Sequence, residues 1–176
     1  MFNVEKATND CIQWIRDWRE ENGPGCNLIV GISGGVDSLV AAELCVEAVG
    51  ADKVLGVIMP NYKQDDIDVA YDICQHVLGI DYLTINVGSA YDDIIDQIDA
   101  AFNVTDQTLI NLAPRLRMTT LYGVSQSHNG RVVNTCNLSE DYIGYSTRYG
   151  DAAGDFSPLA QFTKSEVTVS YTHLTL

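Results

Sequence analysis

Short apolar runs alternate with amphipathic stretches along most of the chain. The runs are NLIVGIS, KVLGVIMP, DYLTINV and RVVNTCN, and each is typical of a strand buried on both faces of a parallel sheet. Around them, apolar side chains recur at helical spacing over residues 4–19, 37–49, 64–79, 90–102 and 109–130. Pro114 fits best in a first helical turn, so we expect the main body of the last helix to begin near Leu112.

Strands and helices alternate in this pattern, with short connections between them. That order predicts an α/β fold, a three-layer, doubly wound parallel sheet with helices on both faces. In such a sheet, ligands bind at the carboxyl ends of the strands. The segments that follow the predicted strands include SGGVDS, PNYKQDD and NLSEDYIGYSTRYGD, so we expect the functional residues to lie in them.

The composition narrows the possible partners. Of 176 residues, 24 are Asp or Glu and 10 are Lys or Arg, which gives a formal net charge of −14. So acidic a surface repels nucleic acid, and no apolar run approaches the ~20 residues of a membrane helix, so we expect neither a nucleic-acid nor a membrane partner. The first residues lack a secretory pattern, and the five cysteines form no C-x-x-C pair. We therefore expect a cytoplasmic protein with free thiols.

The stretch GISGGVDS, residues 31–38, follows the first predicted strand and opens a helix. Glycines let the backbone turn tightly around a ligand, and N–H groups at a helix N-terminus attract phosphate. The stretch lacks the lysine of the G-x-x-x-x-G-K-[ST] loop. Asp37 would repel phosphates unless a divalent cation lay between them, which implies Mg²⁺. The alternative is a glycine-rich turn in which Asp37 only caps the helix.

This S-G-G-x-D-S turn resembles the pyrophosphate-binding loop of the ATP pyrophosphatase family, whose members transfer AMP from ATP to a substrate oxygen. Two further motifs resemble those of NAD synthetases. One is N-x-x-x-R-x-R-M over residues 111–118, and the other comprises Thr135, Glu140, Gly144, residues 148–151, Asp155, Pro158-Leu159 and Thr163-Lys164. The resemblance covers residues 28–166 and implies an adenine nucleotide alpha hydrolase-like fold, with residues 1–167 as one domain.

The resemblance also implies roles for individual residues. ATP is expected to contact Gly31, Ile32, Ser33, Gly34, Gly35, Val36, Asp37, Ser38, Thr135 and Lys164, with its phosphates at residues 31–38 and at Lys164. Mg²⁺ is expected on Asp37 and Glu140, which with Lys164 form the expected catalytic group. The dinucleotide substrate deamido-NAD is expected on Arg115, Arg148 and Asp155. Other interpretations stay open: Glu140 as a first-turn helix charge, Arg117 as a helix-face ion-pair partner, Asp151 as a loop cap, and Lys164 as a surface lysine.

The implied activity is the amidation of deamido-NAD by ammonia, with ATP as co-substrate and an adenylated intermediate. The first strand begins near residue 28, which leaves no room for a glutaminase domain ahead of it, so we expect the ammonia-dependent form, acting as a homodimer. The alternatives are a GMP-synthetase-like or tRNA-modifying ligase, or a nucleotide-binding fragment without catalytic competence.

The resemblance stops after Glu166, where the chain reads VTVSYTHLTL. These residues show no helical stripe and no capping pattern, so we expect no helix there. We interpret residues 168–176 as a non-native tail joined to a C-terminally truncated sequence, with a natural short ending as the alternative.

Overall fold

The computed structural model of the protein describes residues 2–174. Within them, one sheet contains four strands, all parallel, in the order β3-β2-β1-β4. The strands are β1 (Asn27–Gly31), β2 (Val54–Ile58), β3 (Asp81–Thr84) and β4 (Gly130–Val133). The predicted parallel sheet is confirmed, and β1 lies in its middle between β2 and β4.

Seven α-helices accompany the sheet in the described residues. They are α1 (Val4–Asn22), α2 (Val36–Val49), α3 (Ile67–Asp72), α4 (Gly88–Asp99), α5 (Asp106–Ser127), α6 (Leu138–Ile143) and α7 (Lys164–Leu174). A 3₁₀ turn at Ala51–Lys53 precedes β2, and a π-helical turn at Ile73–Val77 extends α3. None of these helices combines the length and the apolarity needed to cross a lipid bilayer.

The sheet separates two hydrophobic cores because neighbouring strand residues point to opposite faces. Leu28 and Val30 belong to the larger core, which α1, α2, the α3 segment and α7 complete. Ile29 belongs to a smaller core on the other face, where α5 contributes Leu116 and Leu121. Helices therefore cover both faces, which confirms the predicted three-layer arrangement.

The helix that contains Pro114 begins earlier than the sequence predicted. It starts at Asp106 and places the proline in its interior, so the expected start near Leu112 was wrong. Thr105 sets the true start because its side chain accepts a hydrogen bond from the backbone N–H of Thr108, 3.3 Å away. A proline at this depth removes one backbone hydrogen bond of the helix, and the helix continues through it.

The segment after Glu166 is helical, so the expectation of no helix there was also wrong. Thr163 and Glu166 form reciprocal contacts at the start of α7: the Thr163 N–H donates to Oε2 of Glu166 at 2.8 Å, and the Glu166 N–H donates to Oγ1 of Thr163 at 3.4 Å. Val167 and Ser170 are buried. The interpretation of residues 168–176 as a non-native tail stays a prediction, and residues 175–176 lie outside the described part of the chain.

The outer edge of β4 is paired with the segment at Asp155 and Phe156. The N–H of Val132 donates to Oδ2 of Asp155 at 2.7 Å, and the N–H of Asp155 donates to the Val132 carbonyl at 2.8 Å. Two residues on, the N–H of Asn134 donates to the carbonyl of Phe156 at 2.8 Å. The loop after α6 thus satisfies backbone groups that a further strand would otherwise satisfy.

Candidate active site

A cleft of about 440 Å³ opens at the carboxyl ends of the central strands. Its walls come from the turns after β1, β2 and β4 and from one side of α5. The predicted site residues that line it are Gly31, Ile32, Ser33, Gly35, Asp37, Ser38, Thr135 and Glu140. The structure therefore brings together residues from two turns that are about a hundred positions apart in the sequence.

The glycine turn after β1 is held by two serines. The N–H of Ser33 donates to Oγ of Ser38 at 3.3 Å, and Oγ of Ser38 donates to the carbonyl of Gly35 at 2.9 Å. Gly34 has φ +88°, a conformation that side chains rarely adopt, and a Cβ there would lie 3.1 Å from the Asp66 carbonyl oxygen. No side chain of the described residues caps the start of α2 at Gly35. The turn therefore presents the positive end of α2 to the cleft.

Asp37 is held from two sides by residues from distant segments. Nδ2 of Asn137 donates to its Oδ1 at 3.0 Å, and the ammonium group of Lys164 donates to its Oδ2. The Asp37 side chain is 19% exposed, whereas that of Lys164 is 53% exposed. Asp37 therefore does not act as the cap of α2; its carboxylate joins the turn after β1 to Asn137 and to the start of α7.

Glu140 lies in the first turn of α6, as one of the open interpretations has it. Its N–H donates to Oδ1 of Asn137 at 3.1 Å, and its Oε2 accepts from the N–H of Asn137 at 3.2 Å. This capping box holds the carboxylate at the wall of the cleft. Helix capping and a role in the cleft are therefore compatible for this residue.

Asp37 and Glu140 fit the requirements of Mg²⁺. Both carboxylates line the same cleft, and Asn137 contacts both. Mg²⁺ usually takes one or two carboxylates, with phosphate oxygens and waters as its other ligands. In residues 2–174 no cluster of three or more His, Cys, Asp or Glu side chains is arranged to hold a metal by itself. The donor set is therefore that of a cation shared with a phosphate ligand.

Two basic side chains that were not among the predicted site residues, Lys63 and Arg117, also line the cleft. Nε of Arg117 donates to the Met59 carbonyl at 2.9 Å. Burial lowers the pKa of the Arg117 guanidinium, and the nearby Asp151 carboxylate opposes that effect. The helix-face ion pair considered for Arg117 is not what the structure has, since the side chain reaches the end of β2. Lys63 could have been singled out because it follows a strand end on a very acidic chain.

Several expected residues do not line the cleft within the described part of the chain: Gly34, Val36, Arg115, Arg148, Asp155 and Lys164. Arg115 and Arg148 are exposed and lie together, since Nε of Arg115 donates to the Arg148 carbonyl at 3.3 Å. The carboxylate of Asp155 accepts from the Val132 N–H at the edge of β4. Lys164 reaches the site only through Asp37.

Sequence reasoning missed the asparagines after β4. Asn134 is buried and donates to the carbonyls of Asp151 and Ala153, at 2.9 and 3.2 Å, which fixes the loop that closes one wall. Asn137 is fully buried and joins the two carboxylates. The pattern Asn-x-x-Glu at residues 137–140 is a helix-start signal that could have identified it.

Asp151 has the loop-cap role that was considered for it, because its Oδ1 accepts from the Thr147 N–H at 2.8 Å. Cys136 also lines the cleft, but its thiol is buried and lies 3.2 Å from the Asp151 carbonyl oxygen. Burial raises the pKa of this thiol, so it stays protonated at neutral pH. All five cysteines are buried and free, as expected.

The chain is similar to a defined group of proteins along nearly its whole length. A family model described as NAD synthase matches residues 7–175. The NH(3)-dependent NAD(+) synthetase of Thermococcus kodakarensis is 41% identical over 166 residues, which cover 94% of this chain and 64% of that protein. The chain thus spans a little less than two thirds of the length of that relative.

Solved structures agree with the sequence match. The NH3-dependent NAD synthetase of Campylobacter jejuni, in complex with nitrate, superposes with a TM-score of 0.90 at 32% identity and covers 99% of this chain and 75% of that one. An NMN synthetase from Francisella tularensis gives 0.90 at 31% identity, covering 99% and 71%. The adenine nucleotide alpha hydrolase-like fold is confirmed by these likenesses, and the chain belongs to the NAD synthase family.

Proposed function

We propose that this chain carries the ATP-dependent amidation of deamido-NAD by ammonia, yielding NAD, AMP and pyrophosphate. In the first step, an oxygen of the nicotinate carboxylate attacks the α-phosphorus of ATP, and the bond to the bridging oxygen of the pyrophosphate breaks. In the second step, the lone pair of ammonia attacks the acyl carbon, the bond to AMP breaks, and the nitrogen loses a proton to solvent. Membership of the family and the shape of the cleft support this reaction.

One observation carries the proposal. A lysine-free glycine turn at the positive end of α2 lines the same cleft as two carboxylates, Asp37 and Glu140, and Asn137 contacts both of them. N–H groups in this position suit the leaving pyrophosphate, because they bind an anion without being consumed by the reaction. A P-loop kinase would instead require a lysine within the turn.

We assign ATP to Gly31–Ser38, with its phosphates at the turn, to Thr135, which lines the same cleft, and to Lys164, which lies beside Asp37. Lys164 contacts Asp37, and half of its side chain is exposed, so it is free to turn toward a phosphate. Arg117 and Lys63 add positive charge to a protein whose net charge is −14. The concentration of scarce cations around one cleft is what an anionic substrate requires.

We assign Mg²⁺ to Asp37 and Glu140. Bound there with ATP, it would neutralise charge that develops on the phosphates. The work of the protein is then to hold the two carboxylates on one wall and to position the reacting groups.

We assign the dinucleotide to the outer part of the site, where Arg115 and Arg148 lie together on the surface. Asp155 is kept as a substrate residue only in a secondary role, because its carboxylate already accepts a backbone hydrogen bond from β4. A variant at Arg115 should therefore raise the KM for deamido-NAD more than the KM for ATP.

The test is an assay of the full chain with ATP, Mg²⁺, deamido-NAD and ammonium, in which AMP, pyrophosphate and NAD are measured together. Equal amounts of the three products support the proposal. Pyrophosphate exchange without amidation would point to another acid substrate, as for a GMP-synthetase-like or tRNA-modifying ligase. Nucleotide binding without turnover would identify a binding fragment. Glutamine in place of ammonium should give no product if the activity is ammonia-dependent.

A second acid substrate should be included in the same assay. The Francisella protein with the same fold is named an NMN synthetase. We therefore include nicotinic acid mononucleotide beside deamido-NAD, and the ratio of the two kcat/KM values decides which substrate the site prefers.

We also propose that the protein is a homodimer in the cytoplasm. Ser125 is the only buried residue of α5 among the described residues, and Leu109, Ile110 and Phe102 are 40%, 66% and 75% exposed. Such an apolar surface suits contact with a second copy. The molar mass in solution, measured by light scattering for the natural chain and for Ile110→Glu, tests the dimer. Free buried thiols agree with a reducing compartment.

A further inference from the structure

Asn137 contacts both carboxylates of the cleft, that of Asp37 through its side chain and that of Glu140 through its backbone N–H. Its side chain is 0% exposed, and both of its polar atoms are used. Nδ2 donates to Oδ1 of Asp37 at 3.0 Å, and Oδ1 accepts from the N–H of Glu140 at 3.1 Å. Its own N–H donates to Oε2 of Glu140 at 3.2 Å. One residue therefore fixes the orientation of Asp37 and holds the Glu140 carboxylate against the helix that carries it.

The two donors on Asp37 differ in a way that matters for a cation. Lys164 brings a full positive charge, is half-exposed, and contacts Oδ2. Asn137 is neutral and buried, and it contacts Oδ1. A neutral donor orients a carboxylate without cancelling its charge, so the negative potential that attracts a cation is preserved. Lys164 can leave when a cation arrives, whereas Asn137 has no path to solvent.

We propose that Asn137 is the positioning residue of the cation site: through a neutral hydrogen bond it keeps Asp37 turned so that Oδ2 stays available, and through the capping box it keeps Glu140 on the same wall. This inference rests on the proposed function, because it assumes that a divalent cation and ATP occupy the cleft. Asn137 does not touch the reacting atoms. It acts through Asp37, which lies 100 residues away in the sequence, and through Glu140, which lies in the first turn of α6.

The test compares Asn137→Ser with the natural chain and with Asn3→Ser. Serine keeps a side-chain acceptor for the helix start but is too short to donate to Asp37. Asn3 caps α1 in the same way, with its Oδ1 accepting from the Lys6 N–H at 3.0 Å, and it does not line the cleft. Asn3→Ser therefore makes the same chemical change at a helix start outside the site.

The readout is the binding of Mn²⁺ to the full chain in the presence of ATP, followed by electron paramagnetic resonance. The half-saturating concentration of Mn²⁺ should rise about tenfold or more in Asn137→Ser, and it should be unchanged in Asn3→Ser. The KM for ATP at saturating Mn²⁺ should move little in either variant. If Asn137 only capped α6, serine would retain that role, and both the melting temperature and the Mn²⁺ binding of Asn137→Ser would stay close to those of the natural chain. That result would overturn the inference.

A second measurement needs no variant and decides the matter if Asn137→Ser does not fold. The side-chain amide protons of Asn137 should stay protected from hydrogen exchange when Mg²⁺ and ATP are added. Loss of that protection on loading would mean that the contact with Asp37 breaks in the bound state, and the inference would be wrong.

Failure of the proposed function gives a different pattern. Mn²⁺ binding that depends on ATP and weakens in Asn137→Ser, without any amidation, would overturn the proposed reaction and support the role of Asn137. A natural chain that binds no Mn²⁺ with ATP would overturn both.

Discussion

The ammonium group of Lys164 donates a hydrogen bond to Oδ2 of Asp37, and this contact joins the first turns of α7 and α2 across 127 residues of sequence. Each of these two charges thus has a partner of opposite sign. A divalent cation and a phosphate would take over these two roles when they bind.

Asp37→Asn should reduce the amidation activity to background while leaving the fold intact. The neutral amide is a much weaker ligand for Mg²⁺ than a carboxylate, but it still accepts the hydrogen bond from Asn137. Loss of the partly exposed pair with Lys164 should change the free energy of unfolding by less than about 1 kcal/mol. Activity and chemical denaturation measured on the same preparation check this. Survival of activity would refute the assignment of Asp37 to the cation.

Lys164→Ala should lower kcat/KM for ATP by about 10²–10³-fold, because the proposed function requires its positive charge to turn from Asp37 to the phosphates. Ser165→Ala is the matched control, since it changes the next residue in the same exposed first turn of α7 and should leave the kinetics unaltered. Steady-state kinetics with ATP as the varied substrate distinguish the two variants. If Lys164→Ala has the same kinetic constants as Ser165→Ala, Lys164 is only a surface lysine.

The carboxyl group of Glu43 should make the free energy of unfolding depend on pH. Burial, with a smaller contribution from Glu47, raises the pKa of its carboxyl from 4.5 to about 6, and in the described structure its Oε2 is buried without a hydrogen-bond partner. The folded protein therefore favours the protonated form. Stability from this group is greatest below pH 4.5, falls as the pH rises to about 6, and stays low above that.

Glu43→Gln should accordingly raise the free energy of unfolding at pH 7.5 by about 1 kcal/mol after solvent screening is allowed for. The gain should vanish below pH 4.5, where the natural side chain is protonated. Glu21→Gln removes an equal charge at an exposed position and controls for the net charge of the protein. Denaturation of the three proteins at several pH values provides the measurement, and a gain independent of pH would contradict the prediction.

Thr163→Ala should destabilise the protein by about 1 kcal/mol, because the two hydrogen bonds between the Thr163 hydroxyl and Glu166 at the start of α7 are lost. Thr168→Ala changes the same residue type at an exposed position inside the helix, and should have a smaller effect. Thermal denaturation compares them. No difference between the two would mean that α7 does not depend on its cap.

Gly154→Ala should destabilise the protein by about 2 kcal/mol. A Cβ at this position would lie 2.6 Å from Cβ of Asn134 and 2.7 Å from its backbone nitrogen, so the backbone would have to shift. Gly123→Ala is the opposite case. A Cβ added at Gly123 would meet no described atom within 4 Å outside its own stretch of helix. Alanine should therefore stabilise the protein by up to about 1 kcal/mol relative to glycine at this helical position. The denaturation midpoint should fall in Gly154→Ala and rise in Gly123→Ala, relative to the unsubstituted protein.

Features that depend on local pattern were predictable from the sequence. The buried strands coincide with the continuous apolar runs. The turn at residue 34 was predictable because its φ is positive, and glycine adopts such a conformation at little cost. The errors arose where a local signal was overweighted. Pro114 does not lie in the first turn of its helix, because the cost of one lost hydrogen bond is small beside the packing of the rest of α5. The start of α7 was missed although Thr163 and Glu166 carry a recognisable cap.

The detailed arrangement of the site could not be predicted, because it depends on contacts between distant segments. Asn137 meets Asp37 only after β1 and β4 pair in parallel, which brings the turns that follow them to the same edge of the sheet. Arg117 reaches the end of β2 across the smaller core. Sequence patterns indicate which residue types occur near a strand end, but they do not specify which of these touch.

The pairing of Asp155 and Phe156 with β4 has a consequence beyond the site. An outer strand with open N–H and carbonyl groups can recruit a strand from another molecule and so begin aggregation. Here the loop at Asp155 and Phe156 pairs with the outer edge of β4, partly through the Asp155 carboxylate. The same loop closes one wall of the cleft through Asn134, so the protection of the sheet and the integrity of the cleft depend on one stretch of chain.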